Sequence, residues 1–124
     1  MFSIKFYRNR RGREPVGEYL TKLQNEADES KDSRIKLQKI YEYIGMLEEN
    51  GTRAGEPYVK HLVDGIWELR PLRTRVLFFF WAENTFILLH SFIKKTQKTP
   101  QAEIDKAVRE RDDFLKRKER ERDD

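Results

Sequence analysis

The chain contains no cysteine, which excludes disulfides, thiolate metal sites and cysteine nucleophiles. It has only two histidines, His61 and His90, and neither stands at a spacing from other His, Asp or Glu residues that reads as a metal site. No glycine-rich loop offers a nucleotide cradle, and no cofactor is expected. No apolar run approaches the roughly 20 residues that a membrane-spanning helix needs. The first residues, MFSIKFYRNRRG, are charged within five positions and hold no long apolar stretch, so no secretory signal is expected. These absences leave a soluble, cytoplasmic protein without a membrane partner as the expectation. No internal repeat and no linker marks a second domain.

What is present fits one domain. At 124 residues the chain can bury a single core, expected over residues 1–115, followed by a charged tail at 116–124. Charged residues make up 39%, yet the 12% aromatic fraction and the apolar runs argue against disorder. The net charge of +4 is unevenly placed: Thr52 to Thr99 holds 8 Lys and Arg against 4 Asp and Glu. Residues 1–51 hold 10 against 9, and residues 100–124 hold 8 against 9. The excess therefore coincides with the strand-like part of the chain, and cations gathered on a rigid sheet suit a polyanion.

Phe2, Ile4 and Phe6 alternate with Ser3, Lys5 and Tyr7, the period of a short strand with one buried face. After the basic turn Arg8 to Arg13, which solvation alone explains, Pro15 suits a first helical turn. Val16, Tyr19, Leu20 and Leu23 give that helix one apolar stripe. A polar connector at Glu26 to Lys31 leads to a second helix, capped by Asp32 or Ser33 and stopped at Gly51. Its stripe is Leu37, Ile40, Tyr41, Ile44 and Leu47. The period then changes: Ile66 to Arg70, Arg75 to Trp81 and Thr85 to Ile93 read as strands, with turns between them. Thr99-Pro100 opens a last helix with Ile104, Ala107, Val108, Arg111 and Leu115 along one side, and the tail beyond Leu115 is expected to fray. The order β-α-α-β-β-β-α makes an α+β domain. An antiparallel sheet carries an N-terminal helical hairpin on one face and a C-terminal helix. Its second face is expected to stay partly open, because only one helix remains to cover it.

Alternation sorts the cations. Trp67 and Leu69 should face the helical hairpin, which leaves Glu68 and Arg70 on the open side. Arg75 opens the next strand just across the turn, so its guanidinium can converge with that of Arg70. His90 and Lys94 share a parity in the last strand, Lys95 has the opposite one, and Lys60 and His61 lie in the loop entering the sheet. Arg73 in the turn and Lys98 in the last loop add solvated positive charge. The aromatic run Phe78 to Trp81 reads as core. Such a patch suits cleavage of RNA by attack of a ribose 2′-OH on its own 3′-phosphate, which needs positioning and charge stabilisation rather than a metal. Arginine binds two phosphate oxygens at once and stays charged. Lysine offers a compact charge to the transition state, and histidine can move a proton near neutral pH.

The segments KHLVDGIWELRPLRTRVLFFF and ILLHSFIKKTQKTPQAEIDKA resemble the RelE/ParE toxin superfamily, specifically its HigB-like, phage-derived branch. The likeness runs from about Phe2 to about Arg111, with the Glu-Leu-Arg and Lys-Lys-Thr-x-Lys-Thr-Pro pieces as its most specific parts. It implies a RelE-like fold, a ribosome-dependent endoribonuclease (an mRNA interferase) that cuts translated mRNA, and neutralisation by a helix-turn-helix, HigA-like antitoxin. A complex of two toxins with two antitoxins is implied as well. By position, Arg70 and Arg75 match the strand arginines taken to bind the scissile phosphate, and Lys95 matches a basic residue at the end of the last strand. Lys60, Arg73, Lys94 and Lys98 are the expected further RNA contacts. Two departures stand out: Glu68 replaces a lysine two residues before the strand arginine, and Gln101 and its neighbours replace a C-terminal tyrosine. Glu68, His61 and His90 remain alternatives for the general base. Gyrase-poisoning members of the same superfamily offer the other reading, a non-enzymatic binding module on the same scaffold.

Overall fold

Pro15 and Gly51 punctuate the N-terminal half of the structure, a computed structural model that describes residues 1–123. After strand β1 (Ser3–Phe6), helix α1 (Pro15–Glu26) starts on a proline, whose missing N–H is no loss in a first turn. Helix α2 (Lys31–Asn50) is capped by Ser30, whose Oγ accepts from the Ser33 backbone N–H at 3.1 Å, so the cap precedes the expected Asp32 or Ser33. Gly51 ends α2 with φ 61° and admits no side chain, since a Cβ there would stand 2.8 Å from the Phe2 ring.

Four further strands follow: β2 (Val59–Val63), β3 (Ile66–Leu69), β4 (Thr74–Phe80) and β5 (Thr85–Ile93). The sheet runs β1-β5-β4-β3-β2, antiparallel from β2 to β5, with β1 joined to β5 in parallel. The expected α+β class and helical hairpin are present, with one strand more than expected. Lys60 and His61 lie in β2 and not in a loop. This edge strand is only half apolar, and charge on an edge is how sheets avoid pairing with other chains, so its period-2 signal is weak.

The two sheet faces bury two apolar layers. Leu69, Val76, Phe78, Phe86 and Leu88 pack against α1 and α2, while Ile66, Leu77, Phe79, Ile87 and Leu89 pack beneath helix α3 (Gln101–Asp123) with Ala107 and Phe114. Each fully buried Leu, Ile or Phe contributes about 1.5–3 kcal/mol relative to exposure. The aromatic run is core at Phe78 and Phe79, but Phe80 is half exposed. Alternation breaks in β5: Leu77 pairs with His90 and Phe78 with Leu88, leaving Leu89 as an extra, bulged residue.

Helix α3 covers the second face over β3, β4 and β5, more than expected. It also continues past Leu115 through Asp123 instead of fraying, while Asp124 lies outside the described residues. Its buried stripe turns on Phe114, with Leu115 40% exposed. Arg117 bridges Asp113 at 2.8 Å and stacks over Tyr7, and Lys118 sits over Trp81. Among the described residues no helix is long and apolar enough to cross a membrane.

Asp113 fastens this extension. It accepts from Tyr7 Oη at 2.7 Å, from Arg10 Nε at 3.1 Å and from Arg117 Nη2 at 2.8 Å. Burial pushes its carboxyl up, but these hydrogen bonds and the Arg117 charge outweigh that and hold it below the usual carboxylate value. Burial, then Asp113 itself, raises the Tyr7 hydroxyl well above its ordinary value, so it remains a donor throughout the neutral range. A depressed carboxyl contributes stability above its unfolded pKa and loses it as pH falls through the folded one. Asp113→Asn is therefore expected to lose about 1–2 kcal/mol in urea unfolding at pH 7. The gap to the parent protein should begin to close as pH drops below about 4, the unfolded value, and should vanish once pH lies below the depressed folded value. A gap that stayed constant with pH would contradict this account.

Candidate RNA-binding groove

The Pro71 to Thr74 turn brings β3 and β4 back to back at one end of the sheet, and with it the two strand arginines. Leu72 in this turn has φ 56°, and its carbonyl accepts from Arg75 Nη1 at 2.8 Å. The Thr74 carbonyl accepts from the same nitrogen at 3.0 Å, so the backbone of the turn aims the Arg75 side chain. Arg75 is 8% exposed. Burial and the neighbouring Arg70 charge lower its pKa, Glu68 opposes them, and the guanidinium stays charged.

Arg70 and Arg75 converge, as expected, and they do so on Glu68. The Glu68 carboxylate is 1% exposed, with Oε2 3.3 Å from Arg70 Nε and 3.8 Å from Arg75 Nε. Its other oxygen accepts from Thr99 Oγ1 at 2.5 Å. Arg70 also faces the exposed Glu56 at 3.5 Å, a contact that solvent screens. Glu68 is thus a buried counter-ion beneath the arginines.

Beyond them opens a groove of about 440 Å³, lined by Leu72, Arg73, Arg75, Lys94, Lys95, Thr96 and Gln97. The Lys94 backbone N–H donates to the Arg73 carbonyl at 2.8 Å, which ties the end of β5 to the turn. Partial burial, then the Arg75, Arg70 and Lys60 charges, hold the Lys94 ammonium below the usual lysine value, with Glu68 opposing. Lys60 is opposite Glu68 in the β2–β3 register and so shares the groove face. Lys95 and Lys98 are exposed on the loop that follows β5.

The histidines are not part of this cluster. His61 pairs with Trp67, on the face of the helical hairpin, its ring 5.1 Å from the indole. His90 is 2% exposed and lies under α3, with Nδ1 2.5 Å from Glu110 Oε1 and Nε2 3.0 Å from Glu103 Oε1. The bulge at Leu89 sets it there, opposite Leu77. The open patch expected to hold His90 therefore forms without it. Thr99, which parity along the strands cannot reach, belongs to the cluster instead; its only signal is its place before Pro100, which immediately precedes α3. The basic turn at Arg8 to Arg13 is largely neutralised, with Arg8, Arg10 and Arg13 bridged to Glu14, Asp113 and Glu18.

The groove can therefore offer N–H donors of Arg73, Arg75, Lys94 and Lys95 to a phosphodiester, with Arg70 beside Arg75. Among proteins of curated function, none matches the chain. The family model described as "Phage derived protein Gp49-like (DUF891)" matches residues 18–112, from α1 into α3, and includes every groove residue named above. The chain thus belongs to the phage-derived Gp49-like family, a family of RelE/ParE-like toxins.

Proposed function

We propose that this protein is the toxin of a toxin–antitoxin pair and acts as a ribosome-dependent endoribonuclease on translated mRNA. Family membership supports the toxin half of this reading. The nuclease half is carried by one observation: Arg70, Arg75 and Lys94, from three different strand ends, meet beside an open groove over a single buried carboxylate.

In the proposed step, the ribose 2′-oxygen bonds to the adjacent phosphorus while the bond from phosphorus to the 5′-oxygen breaks. The 2′-hydroxyl gives up a proton and the departing 5′-oxygen takes one, leaving a 2′,3′-cyclic phosphate and a 5′-hydroxyl end. Arg75 and Arg70 bind the non-bridging oxygens, whose charge grows in the transition state. Lys94, with its proton held less tightly than in free lysine, is placed to exchange one with the reacting oxygens. Lys60, Arg73, Lys95 and Lys98 hold flanking phosphates. Glu68, committed to Thr99 and two arginines, keeps the site in place rather than serving as base. A helix-turn-helix, HigA-like antitoxin, in a complex of two toxins and two antitoxins, would neutralise the toxin in the cytoplasm.

Mapping transcript 5′ ends after brief induction tests the reading. New 5′-hydroxyl ends inside translated codons, lost when translation initiation is blocked, are expected. DNA breaks without such ends would replace the nuclease with a gyrase inhibitor.

A further inference from the structure

A carboxylate between two arginines would ordinarily take one fork in a bidentate pair, using both of its oxygens and occupying the fork. Glu68 does not. Thr99 Oγ1 donates to Oε1, and the arginines approach Oε2, 3.3 Å from one Nε and 3.8 Å from the other. Both Nε atoms are buried and form no hydrogen bond, so charge holds the two guanidinium groups without engaging their forks. The bonds of Arg75 within the described residues run through Nη1, which leaves Nη2 for a substrate.

We propose that Thr99 is a positioning residue of the phosphate site: its hydroxyl pins Glu68 in a one-oxygen pose that orients both arginines and keeps Glu68 off Arg75 Nη2 and the terminal nitrogens of Arg70. Its own placement comes from the chain. A residue before proline is held extended, and Pro100 immediately precedes α3, so Thr99 enters the site at a fixed angle from the helix end. This assignment rests on the phosphate-binding reading above and adds the residue that keeps the arginines available. Without the hydroxyl, Glu68 is free to close on Arg70 or Arg75 with both oxygens and block it.

The test compares Thr99→Val, close to isosteric but without the hydroxyl, with Thr99→Ser, which restores it. On ribosomes programmed with a defined mRNA, Thr99→Val should lower kcat about 10-fold with little change in KM, because misplacing a reacting contact acts on the transition state. The shape of the pH profile should stay as in the parent protein, and Thr99→Ser should recover most of the rate. Side-chain nitrogen spectra of the free protein give a readout independent of cleavage. The Arg70 and Arg75 Nε–H signals should shift in Thr99→Val and return in Thr99→Ser. Unchanged kcat and unchanged arginine signals in a folded Thr99→Val would overturn the proposal. So would failure of Thr99→Ser to restore either. If the parent protein cleaved no mRNA, the nuclease reading would fail, while the arginine signals would still decide what Thr99 does.

Discussion

Arg75→Ala is expected to reduce mRNA cleavage by about 10²–10³-fold, the range found when one preorganised donor is removed from a developing negative charge. Growth inhibition should disappear with it. Arg75 is the groove residue most completely shaped by the fold. Two turn carbonyls hold Nη1, Glu68 lies beside Nε, and the side chain is nearly buried. A guanidinium held in this way costs no reorganisation when a phosphate arrives. Folding should survive the substitution, because Glu68 keeps both Arg70 and Thr99 as partners. Arg75→Lys sharpens the point. It retains the positive charge, but one ammonium cannot satisfy the Leu72 and Thr74 carbonyls and also present a fork to phosphate. It should therefore recover only a small part of the activity. The measurement is single-turnover cleavage on programmed ribosomes, with unfolding curves for each variant. Full toxicity in both variants would sink the phosphate assignment, and equal activity of Arg75→Lys and the parent would reduce it to simple charge.

The strands that carry this site were legible for a physical reason. β4 and β5 are nearly continuous apolar runs because both of their faces are covered, and such runs announce themselves without any partner. The convergence of Arg70 and Arg75 was legible too, since a tight turn between two strands admits little else. The misreadings occur where tertiary packing overrides local pattern. β2 is an edge strand with a polar side, so its alternation is faint. The Ser30 cap lies outside the helix whose apolar stripe was used to locate it. The α3 stripe was set one residue late, at Leu115 instead of Phe114, because an extra Arg–Asp and Lys–aromatic layer lets the helix run on over β1 and Tyr7. Parity along β5 put His90 on the same face as Arg75, where the register has it, but α3 covers that face at His90 and sets the ring against two carboxylates. The reach of a helix is not written in a period of two.

His90→Ala is expected to destabilise the fold by about 3–5 kcal/mol, because it opens a cavity and leaves a buried carboxyl oxygen without its hydrogen-bond partner. The ring is 2% exposed, and the carboxylate it leaves behind at Glu110 is also buried. Nothing else described lies within hydrogen-bond distance of that Glu110 oxygen, and the lost ring opens a cavity besides. Glu103 suffers less, since it is partly exposed and can turn to water. The loss shrinks if both partners go. His90→Leu combined with Glu110→Leu removes the unsatisfied carboxyl group and refills the layer around Leu77 and Leu89, so most of the lost stability should return. Urea unfolding of the single and double variants measures this directly. Cleavage by the double variant supplies the second half of the argument. If His90 serves only to seat α3 on the sheet, the double variant stays toxic at permissive temperature. A stable double variant that no longer cuts mRNA would show instead that the ring takes part in the chemistry, and the site would have to be redrawn to include it.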